Sequence, residues 1–129
     1  MKKEKWFKLI NEEFSEIDKE WQWTYLLLSS ITFNEQAIIK ITITDHYQLE
    51  HKDVMTNEKI LEIVRKLNDE IMKPEPKKKP TWPDVFVPKG VEYGTKRYLL
   101  VFWFEKNSSD WLWIRDCYPD IKILLNKLS

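Results

Sequence analysis

Residues 39–67 read "IKITITDHYQLEHKDVMTNEKILEIVRKL" and predict a strand, a turn and a helix in succession. In the first part, isoleucine alternates with lysine or threonine, which is typical of a half-buried strand. In the last part, apolar residues recur at the helical steps of four, three and four; they are Ile60, Val64, Leu67 and Ile71. Thr56 is the expected N-cap, and Pro74 stops the backbone hydrogen-bond ladder. We therefore expect a helix over residues 56–72.

The residues before this stretch predict a helix followed by a strand. Apolar side chains recur at steps of four, four, three and four, and we interpret them as the core stripe of an N-terminal amphipathic helix; they are Trp6, Ile10, Phe14, Ile17 and Trp21. Residues 24–33, "TYLLLSSITF", are compatible either with a strand or with an extension of that helix. The segment "NEQ" at 34–36 is the expected hairpin connection to the next strand.

The C-terminal half begins with a long connection and ends in a second hairpin. Residues 73–95 contain five of the six prolines and the lysine run, and allow at most one short edge strand at 85–87. "KRYLLVFWFE" and "DWLWIRDCY", at 96–105 and 110–118, flank a turn and predict two paired strands. Pro119 suits the first position of a short closing helix.

Together these elements predict a single α+β domain over residues 1–129. We expect an antiparallel sheet of about four strands, packed by the N-terminal helix, the middle helix and the C-terminal helix.

Composition excludes several classes of function. Only two glycines are present, so the chain lacks the glycine-rich loop that holds a nucleotide phosphate, and no cofactor is expected. The single cysteine, Cys117, permits no internal disulfide, and the first residues lack the apolar segment of a signal peptide. Residues 98–104 form the longest apolar run, far short of the ~18 residues that span a bilayer. We expect a cytoplasmic protein without membrane contact.

The two histidines, His46 and His51, lie in the turn between the strand and the helix. They are five residues apart, whereas the helical zinc motif needs a spacing of four, and the chain offers no third histidine. No metal site is therefore expected. If residues 45–52 form a helical turn capped by Asp45, His46 shares a face with Glu50 and His51 lies beside Tyr47. Such histidines suit proton transfer near neutral pH, or they are simply exposed at the junction.

The order strand, histidine-bearing turn, helix and further strands over residues 37–119 resembles small toxin-like ribonuclease domains. These belong to the broad barnase/EndoU/colicin/RelE-like superfamily of phages, toxin–antitoxin pairs and other mobile elements. The resemblance implies metal-free RNA cleavage, with His46 as general base and His51 as general acid. Arg97 or Arg115 would stabilise the phosphorane, and Tyr118 matches a terminal aromatic. For Arg115, an ion pair with an acid on the sheet is the alternative.

The sequence also supports a second hypothesis, a non-enzymatic protein-binding factor such as an antitoxin, an immunity protein or a phage accessory protein. Its basis is the presence of seven tryptophans with zero net charge, because tryptophan concentrates binding energy at interfaces. Trp82, in "PTWPDVF", is the expected exposed anchor. Nearby Lys77, Lys78 and Lys79 either contact an RNA backbone or form a solvated loop. An inactive descendant of the nuclease fold, kept for binding, is a third hypothesis.

Overall fold

The computed structural model describes residues 5–120, in which seven strands form one sheet. The strands are β1 Phe7–Ser15, β2 Glu20–Phe33, β3 Gln36–Thr44, β4 Val85–Phe86, β5 Val91–Tyr93, β6 Lys96–Phe104 and β7 Trp111–Pro119. Two short helices, α1 Gln48–His51 and α2 Asn57–Arg65, follow β3, and α1 is preceded by a 3₁₀ turn over Asp45–Tyr47. The sheet order is β1-β2-β3-β7-β6, with β4 and β5 both paired to the far side of β6.

The predicted fold class is wrong, because the described part of the chain is mostly β and its sheet is mixed. The sheet has seven strands where about four antiparallel strands were expected. β3 pairs with β7 in parallel, from Lys40 opposite Trp111 to Ile43 opposite Ile114. Adjacent β3 and β7 are distant in sequence, so no local pattern could reveal this pairing. The predicted C-terminal helix falls largely on residues 121–129, which lie outside the described residues, and Pro119 is the last residue of β7.

The predicted N-terminal helix is also wrong. Residues 7–33 form the antiparallel hairpin of β1 and β2, in which Phe14 lies opposite Trp21. The helical spacing of the apolar residues is produced instead by two strands, a turn between them and a bulge at Ile10. Pairing of β2 with β3 on its other side fixes the extended conformation, so tertiary context overrides the local pattern. Residues 24–33, left open between strand and helix, belong to β2.

The middle helix is present but shorter than predicted. The Thr56 hydroxyl accepts a hydrogen bond from the Lys59 amide at 3.1 Å, which confirms the N-cap. α2 ends at Arg65 rather than at residue 72, because the chain turns to bind the end of β2. There the Thr32 amide donates to the Asn68 side-chain oxygen at 2.8 Å, and the Asp69 amide donates to the Thr32 carbonyl at 2.7 Å.

Both predicted hairpins of the remaining chain are confirmed. β2 and β3 are joined at Asn34 and Glu35, whose φ angles of 50° and 64° suit a tight two-residue connection. β6 and β7 pair antiparallel along their length, from Tyr98 opposite Pro119 to Phe104 opposite Leu112. The short edge strand expected near residues 85–87 is β4.

The core lies between α2 and one face of the sheet. The helix contributes fully buried apolar side chains, namely Ile60, Leu61, Ile63 and Val64, and the central strands contribute Ile41, Ile43, Leu100, Phe102, Leu112 and Ile114. Burying one such side chain stabilises the fold by roughly 1.5–3 kcal/mol. Strand alternation places Lys40, Thr42, Trp111 and Trp113 on the opposite face. The sheet therefore has one face packed in the core and one that bears threonine and tryptophan.

Candidate functional site

The parallel pairing of β3 with β7 brings the histidine turn to the end of β7. Because Ile43 lies opposite Ile114, the turn that follows β3 lies beside the last residues of β7. The turn is held there by Asp45, whose carboxylate accepts a hydrogen bond from the Trp21 amide at 3.1 Å. Tyr47 points into the core and donates to the Asn57 side chain at 2.7 Å. The fold thus places His46 and His51 beside residues 116–118.

His46 faces the carboxylate of Asp116. Its Nε2 lies 3.9 Å from the Asp116 Oδ2, and the His46 side chain is 36% exposed against 19% for Asp116. At this distance the two groups attract each other when the imidazole is protonated. Both side chains reach the surface, and His46 is the more exposed of the two.

His51 stacks on the ring of Tyr118. The ring centroids are 4.7 Å apart with an interplanar angle of 17°, and the His51 Nε2 lies 3.7 Å from the Glu50 Oε2. Burial, and then the negative charges of Asp116, Asp120 and Glu50, raises the pKa of Tyr118. The phenol is therefore neutral near pH 7, where it can donate a hydrogen bond but cannot act as a base.

We call His46, His51, Asp116 and Tyr118 the histidine cluster. It unites three of the predicted site residues, but its pairs differ from those expected. His46 lies against Asp116 rather than being paired with Glu50, and His51 contacts Tyr118 rather than Tyr47. Asp116 was missed, since its proximity depends on the β3–β7 pairing.

The two predicted arginines are placed differently from each other. The Arg97 Nη2 lies 3.1 Å from the Glu92 Oε1, in an ion pair between β6 and β5. Arg115 precedes Asp116 on β7 and is exposed, and among residues 5–120 it forms no ion pair. The ion pair considered for Arg115 is thus found at Arg97 instead. Of these two arginines, Arg115 is the one whose guanidinium is available to a bound anion.

The charge around the histidine cluster is predominantly negative. Asp116, Asp120 and Glu50 all raise the pKa of the Tyr118 phenol, and Arg115 precedes Asp116 on β7 as a positive charge. These carboxylates repel a phosphate while the histidines are neutral. Residues 5–120 contain no group of three or more His, Cys, Asp or Glu side chains able to hold a metal ion.

The residues predicted for binding lie on the connection that leads into β4. The Lys77 Nζ forms an ion pair with the Asp84 Oδ1 at 3.1 Å, and the Lys79 Nζ lies 5.9 Å from the centroid of the Trp82 ring. Trp82 and Lys78 are exposed. Part of this connection, with Phe86 and Phe104, lines a cavity of about 700 Å³ at the sheet end opposite the histidine cluster.

A further exposed surface, which the sequence patterns placed in the core, lies at the end of the β1–β2 hairpin. We define the hairpin tip as Phe14, Ile17 and Trp21. Ile17 is 94% exposed, and the Phe14 and Trp21 rings meet edge to face at 5.7 Å with both side chains exposed. The expected core stripe is wrong at these positions, and also at Ile10. The available signal was "SEIDKE" at 15–20, a polar segment of the kind that connects strands.

Acidic side chains surround the hairpin tip. Residues 12–20 contain five acids and one base, Lys19. The Lys19 Nζ is bound to the Glu16 Oε2 at 3.3 Å, and the Asp18 carboxylate accepts from the Ser15 hydroxyl at 3.3 Å. The tip is therefore an apolar knob with an acidic rim, although the chain as a whole has no net charge.

Comparison with known proteins adds no relative. No protein-family model matches the chain, and no curated protein or solved structure is significantly similar to it. The resemblance to toxin-like ribonucleases thus stays a prediction. Within residues 5–120, no helix has the length and apolar character needed to cross a membrane.

Proposed function

We propose that this protein is a non-enzymatic binding factor that recognises another protein through the hairpin tip. The observation that supports this is the exposure of Ile17 beside the Phe14–Trp21 pair. Large apolar side chains that are grouped on a surface are unfavourable in water and commonly mark a site that a partner covers. Aromatic residues are enriched at the centres of protein interfaces. The proposal places the protein in the cytoplasm, where the buried free thiol of Cys117 stays reduced.

The acidic rim suggests the chemistry of the partner. Five acids with one base in residues 12–20 favour a partner whose apolar pocket is bordered by lysine or arginine. Such complementarity accelerates association and makes its rate fall as salt is added. An antitoxin or immunity protein that blocks a basic enzyme fits this description.

The test compares two exposed isoleucines that differ only in their place in the fold. Ile17→Glu adds a charge to the hairpin tip, and Ile71→Glu adds the same charge at another exposed position, 71% accessible. In a pull-down from the source cells, the wild type and the Ile71→Glu variant should capture the same basic protein, and the Ile17→Glu variant should not. Equal capture by all three chains would refute the proposal.

A second candidate function is metal-free RNA cleavage at the histidine cluster, in a toxin-like enzyme of a phage or another mobile element. Its support is the pairing of His46 with Asp116 and of His51 with Tyr118, which brings the histidine turn against residues of β7 that are distant in sequence. The His46 imidazole, oriented by Asp116, would remove the 2′-hydroxyl proton, and protonated His51 would donate a proton to the leaving oxygen. Arg115 would stabilise the phosphorane, because Arg97 is engaged by Glu92.

This candidate is tested with RNA in the presence of a chelator, so that contaminating metal-dependent nucleases are silent. The wild type should release fragments with cyclic phosphate ends, and His46→Ala and His51→Ala should each reduce the rate by about 10²-fold or more. His51→Phe serves as a control, because it keeps the stacking on Tyr118 but cannot transfer a proton. Equal rates for the wild type and all three variants would exclude catalysis at this cluster.

A further inference from the structure

The outer edge of β1 is not paired with any strand in residues 5–120. From Lys8 to Phe14 every residue of this strand is exposed, and Leu9 and Ile10 are large apolar side chains among them. An uncovered strand edge presents backbone donors and acceptors that another strand can bind. The edge meets the hairpin tip at Phe14, whereas Ile17 lies in the turn beyond the strand and Trp21 lies on β2.

A bulge determines which side chains share a face along this edge. Lys8 lies opposite Leu26 and Glu13 lies opposite Gln22, so both are on the face of the sheet away from α2. The register shifts between Leu9 and Asn11, leaving Ile10 as the extra residue. Without the bulge, an odd spacing of five would put Lys8 and Glu13 on opposite faces. With it, opposite charges lie on one face, symmetrically about Ile10 and Asn11.

We propose that two copies of this chain pair antiparallel along β1, with a two-fold axis at the bulge. In that register, Lys8 of each copy lies opposite Glu13 of the other, and Leu9 lies opposite Glu12. If the two-fold axis passed through a single residue near the bulge instead, a residue before the bulge would lie opposite a residue after it whose side chain is on the other face of the sheet. The bulge therefore requires an axis between two residues, and the charge pattern selects the one between Ile10 and Asn11.

The second copy is favoured over an unrelated strand by charge. Charged side chains and a bulge on an edge oppose pairing with an arbitrary strand, whereas here they match when the strand meets itself in reverse. Opposite charges directly across a strand pair stabilise it, and like charges destabilise it. Because this edge is used by both copies, the contact is isologous and closes at two chains. The two hairpin tips then lie at opposite ends of the paired strands, where Phe14 faces Phe7 of the other copy and Ile17, in the turn beyond the strand, stays accessible.

The experiment measures the mass of the full-length chain in solution over a range of concentrations, by sedimentation equilibrium. The wild type should be a dimer that dissociates on dilution. Lys8→Glu and Glu13→Lys each create two like-charge contacts and should weaken dimerisation by about ten-fold or more. The double variant, Lys8→Glu with Glu13→Lys, restores both opposite-charge pairs in the reverse sense and should regain the wild-type affinity. Lys89→Glu, an exposed site on the other side of the sheet, should have no effect.

A wild type that is monomeric throughout, or a double variant as weak as either single variant, would overturn the inference. The inference does not depend on the proposed function. Ile17→Glu should leave the dimer intact while it abolishes partner capture, and Lys8→Glu should leave capture by the monomer intact. Failure of one result therefore leaves the other interpretable.

Discussion

The two edges of the sheet are built in opposite ways. At the β4–β5 edge the chain is interrupted by Pro88, and the Val85 carbonyl accepts a hydrogen bond from the Glu75 amide at 2.7 Å. Phe86 on this edge is 4% exposed and packs against Phe33 and Phe102. At the β1 edge a continuous strand of nine residues is mostly exposed, and Phe14 is 42% accessible.

The difference shows which edge the fold protects. Proline, a covering loop and short strands are features that block the addition of another strand, and the β4–β5 edge has all three. The β1 edge has only charges and one bulge. The β4–β5 edge is therefore closed to a further strand, whereas the β1 edge is open to one. This contrast is consistent with binding through the β1–β2 hairpin.

The largest expected difference between the edges is in aromatic packing. Phe86→Ala should lower the free energy of unfolding by about 3–5 kcal/mol, because it empties a buried site among three other phenylalanine rings. Phe14→Ala should lower it by less than about 1 kcal/mol, because the side chain is already largely in water. Urea denaturation of both variants measures the two values. Similar losses would mean that the hairpin end is as much a part of the core as β4.

A smaller difference is expected between the turns that lead from each edge strand. Gly94, between β5 and β6, has a φ of +63°, and Lys19, between β1 and β2, has a φ of +55°. Gly94→Ala should destabilise the fold by about 1 kcal/mol through backbone strain alone, since no atom beyond the two neighbouring residues lies within 4 Å of the added carbon. Lys19→Gly should raise stability by up to about 1 kcal/mol by removing the same strain. Thermal unfolding of the pair tests this, and a loss of stability in Lys19→Gly would show that its side chain matters more than its backbone.

The sequence predicts those elements whose signals are local. The turn at Asn34 and Glu35, the cap at Thr56 and the β6–β7 hairpin are each specified within a few residues, and all three are confirmed. The β1–β2 hairpin was not predictable in the same way, because its large apolar residues recur at helical spacing with charged residues between them, which also fits an amphipathic helix. Only the pairing of β2 with β3 decides between the two conformations.

The same reasoning applies to the candidate sites. His46 and His51 were recognisable as titratable residues in a turn, but the contact of His46 with Asp116 follows from the parallel register of β3 and β7. The hairpin tip was misassigned to the core because burial was inferred from periodicity. Spacing indicates which side chains share a face, but not whether another element covers that face.

The smallest effects are expected for exposed ion pairs, and one near each edge can be compared. Arg97 binds Glu92 at 3.1 Å across β6 and β5, and Lys19 binds Glu16 at 3.3 Å in the β1–β2 turn. Solvent screens both pairs, so Arg97→Met and Lys19→Met should each change the free energy of unfolding by less than about 1 kcal/mol. Urea denaturation at low and high salt checks this, and a loss of about 2 kcal/mol or more in Arg97→Met would contradict it. If both losses are small, the two edges differ in stability because of buried aromatic rings and a covering loop, not because of ion pairs. The charged side chains of the β1 edge then contribute little to folding and can serve partner selection instead.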